Sequence, residues 1–241
     1  MNRVLLASLL AALSMSTPAL AADPVATAVI QPGRSFPGGT LPSTGAWQAL
    51  VCKVRDCEIR DVDVTVSGTS MPNILEEQEP VDVLGLPTFA EGEAAIAWFQ
   101  GLNLPAGPVS TAHRHFRLED SFEGKQVRAL RRTGQWLFPQ SDMKLSWVQT
   151  PDGYRRYHLA SGGAKQFLFQ VEREGHYGGD STPMIHWAGD LDGDGRLDFL
   201  VDIPDDNCGY DERVYLTRNA GPGKIVRKAG QVAGREAACG C

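Results

Sequence analysis

The clearest indication of the fold class is the segment LSWVQTPDGYRRYHL, residues 145–159. On both sides of its centre, apolar and polar residues largely alternate, which is the pattern of a strand with one buried face. Pro151, Asp152 and Gly153 lie between the two arms, and residues of these types favour a tight turn. The segment therefore predicts a β-hairpin.

Further strand-like segments follow one another along the chain. Alternating apolar residues begin at Trp47 and continue to Val66, and after Pro108 the strand candidates are residues 127–130, 136–138, 144–149, 155–159, 166–172, 199–203 and 213–217. We expect a mainly β fold with sandwich or propeller-like antiparallel sheets, a barrel being a third arrangement of the same pattern. There is no exact internal repeat, so a propeller of matching blades is not expected.

One segment, residues 88–101, predicts a short helix. Thr88 is suited to cap its first turn, and Glu91 three residues later completes a capping box. An apolar run follows from Ala94 to Phe99, and Gly101 is suited to end the helix.

The N-terminus has the order of a secretory signal peptide over residues 1–21. Arg3 precedes an apolar stretch at residues 4–13, and small residues end at Ala21. No later apolar run reaches the roughly 18 residues that a membrane helix needs. We expect a periplasmic or secreted protein that does not span a membrane.

Domain organisation follows from composition. Residues 22–46 are rich in proline and glycine and predict an irregular lead-in, and residues 47–241 predict a single β-rich domain. The formal net charge is −6, from 23 Lys+Arg and 29 Asp+Glu, and it becomes −7 when Arg3 leaves with the signal peptide. This acidic balance, without basic runs, argues against a nucleic-acid partner.

Five cysteines lie beyond the signal peptide, and disulfides persist in an exported protein. Cys52 and Cys57 are close enough in sequence to bridge two strands at their turn. Cys208 could pair with Cys239 or with Cys241, and either bridge would fix the C-terminal tail.

The clearest chemical motif is DLDGDGRLD, residues 190–198. Carboxylates at loop positions 1, 3, 5 and 9, which are Asp190, Asp192, Asp194 and Asp198, can converge on one hard cation together with the backbone carbonyl of Arg196 at position 7. Calcium is the cation that such a set of oxygen atoms selects. We expect a Ca²⁺ site at this loop.

This loop is not an EF-hand, because position 12 is Val201 instead of glutamate and the following residues are strand-like. A calcium loop that leads directly into a strand resembles the loop of FG-GAP and VCBS repeats. That resemblance implies metal binding and says almost nothing about activity.

No catalytic signature is present. The chain has no Gly-x-Ser-x-Gly elbow, no local Cys and His signature and no glycine-rich phosphate loop. These absences favour a binding protein over an enzyme, and we assign no catalytic residues.

The segment around His176 and Tyr177, followed by the calcium loop, is similar to the periplasmic immunity proteins that accompany antibacterial type IV secretion effectors. The resemblance covers about residues 175–203. It implies calcium binding, a shape related to lysozyme inhibitors, and inhibition of a peptidoglycan hydrolase by direct binding, with His176 and Tyr177 in the interface. The alternatives are a calcium-dependent secreted hydrolase and a calcium-stabilised carbohydrate- or surface-binding module.

Overall fold

A computed structural model describes residues 25–73, 75–117, 133–138, 141–172, 183–203, 208–237 and 239. These residues form β-strands and no helix, which confirms the prediction of a mainly β fold with antiparallel sheets. In chain order the strands are β1 (Thr27–Val29), β2 (Phe36–Pro37), β3 (Trp47–Lys53), β4 (Asp56–Val62), β5 (Thr65–Pro72), β6 (Gln78–Gly85), β7 (Glu93–Gln100), β8 (Gly107–Arg117), β9 (Thr133–Leu137), β10 (Lys144–Gln149), β11 (Tyr154–Ser161), β12 (Ala164–Glu172), β13 (Met184–Asp190), β14 (Asp198–Asp202), β15 (Gly209–Leu216) and β16 (Arg227–Arg235).

The largest sheet has nine strands in the order β1-β7-β3-β4-β8-β13-β14-β15-β16. Its two ends meet at Ala26, which forms a parallel bridge with Gly230. The N–H of Ala26 donates to the carbonyl of Ala229 at 3.1 Å, and the N–H of Gln231 donates to the carbonyl of Ala26 at 2.8 Å. The sheet is therefore nearly closed into a barrel, and closure removes free strand edges.

Two smaller sheets, of order β12-β11-β10-β9 and β2-β6-β5, complete the fold. The predicted hairpin at residues 145–159 is confirmed as β10 and β11. Alternate residues of the barrel strands enter different cores: Leu200 packs with Trp187, whereas its neighbours Phe199 and Val201 pack with the four-stranded sheet. These barrel strands are therefore buried on both faces.

The predicted helix at residues 88–101 is wrong, because this segment contains strand β7. The strand pairs with β1 on one side and β3 on the other. Ala97 and Phe99 pack in one core and Trp98 packs in another. A strand buried on both faces has a continuous apolar run, and such a run has no period that separates it from a buried helix.

The predicted irregular lead-in at residues 22–46 is only partly irregular, since it contributes β1 and β2. Its apolar residues Ile30 and Phe36 are buried, and Arg34 binds it to the barrel. The Nε of Arg34 lies 2.9 Å from Oε1 of Glu212, and its Nη2 lies 3.1 Å from Oδ2 of Asp202. The proline and glycine content of the segment predicted irregular structure. Buried contacts with residues distant in sequence, such as Glu212 and Asp202, instead order it.

Two cysteine pairs lie at disulfide distance: the expected pair at the β3–β4 turn, and one of the two pairings that the sequence left open for Cys208. Cys52 pairs with Cys57 across β3 and β4, and Cys208 pairs with Cys239. The described ranges include no helix of the length and apolarity required to cross a bilayer. The signal peptide, the strand candidate at residues 127–130, His176 and Tyr177, and Cys241 lie outside the described residues.

Candidate metal site

The acidic loop joins the end of β13 at Asp190 to the start of β14 at Asp198. Gly193 and Gly195 have φ angles of 74° and 79°, a region that glycine enters without steric cost. Leu191 and Leu197 are both buried, and they pack into two different cores. Because these two leucines pack on opposite faces of the barrel sheet, they fix the position of both ends of the loop.

Three carboxylates of the loop converge. Ligand atoms of Asp190, Asp192 and Asp194 all lie within 4.8 Å of one another. The backbone N–H groups of Asp194 and Gly195 donate to the two oxygens of Asp190 at 3.0 and 2.9 Å, which fixes the first carboxylate. Carboxylates this close repel one another when all are ionised, and a divalent cation that prefers oxygen ligands would remove that repulsion.

Asp192 gives the clearest indication of a cation. The residue is buried, with 3% exposed, and among the described residues neither carboxylate oxygen has a donor at normal hydrogen-bond geometry; the backbone N–H of Asp194 makes only a weak contact that acts to lower the pKa. The nearest cationic atom is Nε of Arg218, 3.8 Å from Oδ2, which is too long for a hydrogen bond. Burial, and next the charge of Asp194, raise the pKa of Asp192. Because an unsatisfied buried carboxylate is costly, a cation bound at this loop would give Asp192 a favourable partner.

Asp194 has close protein donors. Its Oδ2 accepts hydrogen bonds from Nη2 and Nε of Arg196 at 2.8 and 3.1 Å and from Oγ1 of Thr217 at 3.1 Å. Its Oδ1 accepts the backbone N–H of Arg196 at 2.9 Å. Burial acts to raise the pKa of Asp194, but the hydrogen bonds from Arg196 outweigh it and hold the pKa below its usual value. Arg196 therefore places a cation on one of the three carboxylates.

Asp198, the fourth predicted carboxylate ligand, lies outside the group of three. Its Oδ2 accepts the N–H of Leu191 at 2.9 Å, and its Oδ1 accepts the N–H and the hydroxyl of Thr217 at 2.8 and 3.1 Å. Burial raises the pKa of Asp198 to about 7. In this geometry Asp198 connects the start of the loop to the end of β15.

Thr217 and Arg218 were not predicted from the sequence. They follow β15, and only the pairing of β15 with β14 brings them to the loop. No spacing rule within the acidic motif could have identified them.

Comparison with known proteins identified no relative. No family model matches the chain, and no curated protein or solved structure is significantly similar to it.

Proposed function

We propose that this chain is a calcium-binding protein in which one Ca²⁺ is held by Asp190, Asp192 and Asp194 and by the backbone carbonyl of Arg196. The observation that carries the proposal is the buried carboxylate of Asp192, whose oxygens have no donor at normal hydrogen-bond geometry among the described residues. Calcium would give this carboxylate its partner and would fix the junction between β13 and β14. Asp198 would stabilise the conformation of the loop through its hydrogen bonds with Leu191 and Thr217.

Calcium is favoured over magnesium by the kind of ligand set. Calcium accepts six to eight oxygen atoms in variable geometry, whereas magnesium requires a near-ideal octahedron and keeps several waters. The loop offers several carboxylates on a glycine-containing backbone, with two residues at positive φ. That arrangement suits the larger and less demanding cation.

The test is a calcium titration of the ion-depleted protein by isothermal titration calorimetry. We expect one Ca²⁺ per chain, weaker binding of Mg²⁺, and loss of calcium binding in Asp192→Asn. Asp61→Asn is the matched control, since it makes the same chemical change at an exposed acid outside the loop. Absence of saturable calcium binding to the wild type would refute the assignment.

We propose further that the protein is exported and inhibits a peptidoglycan hydrolase by binding to it. Support comes from the signal-like N-terminus, from two disulfides suited to an oxidising compartment, and from the resemblance around residues 175–203. The acidic charge would also speed association with a basic enzyme.

The inhibitor proposal is tested by capturing proteins from an extract of the same cells on the mature, oxidised chain. Recovery of a hydrolase whose cleavage of purified peptidoglycan falls at a one-to-one ratio would support it. Cleavage of peptidoglycan by the chain itself would instead favour the calcium-dependent hydrolase. Saturable polysaccharide binding without cleavage would favour the carbohydrate-binding module.

A further inference from the structure

A cleft of about 500 Å³ lies beside the acidic loop. One wall is residues 195–197 of the loop, a second is formed by the turns at Asp142 and Ser161, and a third includes Thr217 and Lys224. Clefts of this size are typical of small-molecule sites, which occupy about 300–1,000 Å³. The cleft is large enough for a sugar-sized ligand.

Hydrogen bonds between distant segments fix the walls. The carboxylate of Asp142 accepts the hydroxyl of Ser161 and the N–H of Gly162, both at 2.8 Å, which joins two turns of the four-stranded sheet. The side chain of Gln166 accepts the N–H of Ile225 at 2.8 Å and donates to the carbonyl of Val226 at 2.8 Å. The walls of the cleft are therefore preformed, and a ligand would lose free energy mainly in ordering the side chains of Arg196 and Lys224.

The lining combines cations with hydroxyl groups. Arg196 and Lys224 are the basic residues among the lining residues, and Asp142 is the acidic one. Ser141, Ser161 and Thr217 also line the cleft; the hydroxyls of Ser161 and Thr217 donate their hydrogens to neighbouring carboxylates, so their oxygens remain as acceptors for hydroxyls of a ligand. A ligand with one negative charge and several hydroxyls matches this set.

Arg196 belongs both to the cleft and to the acidic loop. Its guanidinium binds Oδ2 of Asp194, and this carboxylate is also one of the three that would hold calcium. When calcium binds, the formal charge of the three carboxylates and the ion together rises from −3 to −1. The attraction between Asp194 and the guanidinium then weakens, and the potential in the cleft becomes more positive.

We propose that the cleft is an anion site controlled by calcium. Without calcium, Arg196 neutralises Asp194; with calcium, its guanidinium turns to the cleft and, with Lys224, binds a small hydroxyl-bearing carboxylate of the acidic-sugar class. This inference rests on the calcium site proposed above. By linkage, such an anion must also raise the affinity for calcium by the same factor.

The experiment measures calorimetric binding of D-galacturonate, with D-galactose as the neutral control. It compares ion-depleted protein with calcium-saturated protein. No chelator is added, because chelators that carry carboxylates would compete with galacturonate for the anion site. The heat of galacturonate titrated into calcium buffer alone is subtracted. We expect saturable binding to the calcium form that is weaker by at least about fivefold without calcium. Galactose should bind much more weakly in both states.

Two variants separate the roles of the cations. Lys224→Gln should weaken galacturonate binding and leave calcium affinity unchanged. Arg196→Gln keeps the backbone carbonyl, and it should weaken galacturonate binding while it raises calcium affinity, because the competing guanidinium is gone.

Three results would overturn the inference: no saturable galacturonate binding to the calcium form, equal affinity with and without calcium, or unchanged binding in Arg196→Gln. Calcium stoichiometry is measured first on the same samples. A protein that binds no calcium therefore refutes the proposed function, and one that binds calcium without these effects refutes only the anion site.

Discussion

Replacing Asp192 with asparagine should change stability in opposite directions in the two metal states. The substitution removes a buried charge that has no donor at normal hydrogen-bond geometry among the described residues. An unsatisfied buried polar group costs about 1–3 kcal/mol, and the asparagine amide remains buried, so we expect a gain of about 1 kcal/mol without calcium. For a chain of this size, this gain corresponds to a rise in Tm of roughly 2–4 °C.

Calcium should reverse the order. At a calcium concentration 100 times the dissociation constant, the wild type gains about 2.7 kcal/mol. This gain corresponds to a rise in Tm of roughly 5–11 °C. Asp192→Asn loses a central ligand and should gain almost nothing. The variant is therefore the more stable protein without calcium and the less stable one with it.

Scanning calorimetry of both proteins, ion-depleted and calcium-saturated, measures the four melting temperatures. Asp61→Asn controls for the change in net charge, and it should follow the wild type in both states. If Asp192→Asn melts below the wild type without calcium, then Asp192 already has a favourable environment and the argument from its burial is wrong. An equal calcium response in variant and wild type would refute the ligand assignment.

Three further predictions concern the scaffold. Gly189→Ala places a Cβ 2.0 Å from the carbonyl oxygen of Ser110 and should destabilise the protein by about 1–3 kcal/mol, measured by urea unfolding. Burial raises the pKa of Glu212 to about 7 from 4.5, so between these pH values the folded state holds a proton that the unfolded state has lost. The free energy of unfolding should therefore fall as pH rises from about 4.5 to about 7. Glu212→Gln should reduce this slope by up to about 1.4 kcal/mol per pH unit. Arg34→Ala leaves the buried carboxylates of Glu212 and Asp202 without their cation, and above about pH 7, where Glu212 is ionised, it should cost about 3–5 kcal/mol in the same unfolding assay.

Each scaffold prediction has its own control. Gly68→Ala, whose Cβ would meet nothing within 4 Å, should have a much smaller effect than Gly189→Ala. A slope unchanged by Glu212→Gln would show that this carboxyl does not hold a proton in the folded state. Arg55→Ala removes an exposed arginine, so an equal loss in Arg55→Ala and Arg34→Ala would contradict the importance of the buried network.

Features that depend on neighbours close along the chain could be predicted from the amino-acid sequence. The alternation on both sides of Pro151 and Gly153 predicts the hairpin of β10 and β11, because a strand with one buried face has a period of two. The spacing of Asp190, Asp192 and Asp194 places three carboxylates in one tight loop, and the cysteine positions allow the two disulfides. These features need no knowledge of distant segments.

Features that depend on burial and on distant partners could not be predicted in this way, because they arise only when the chain folds. Residues 93–100 form a strand because β1 and β3 supply hydrogen bonds on both sides, and these partners override the local helix signals. Thr217 reaches the loop only through the pairing of β15 with β14, and Arg34 meets Glu212 only when the barrel forms. The burial of Asp192 also depends on the fold. The free-energy cost of burying its carboxylate is set by its access to water and to hydrogen-bond donors, and the packing of distant segments determines both.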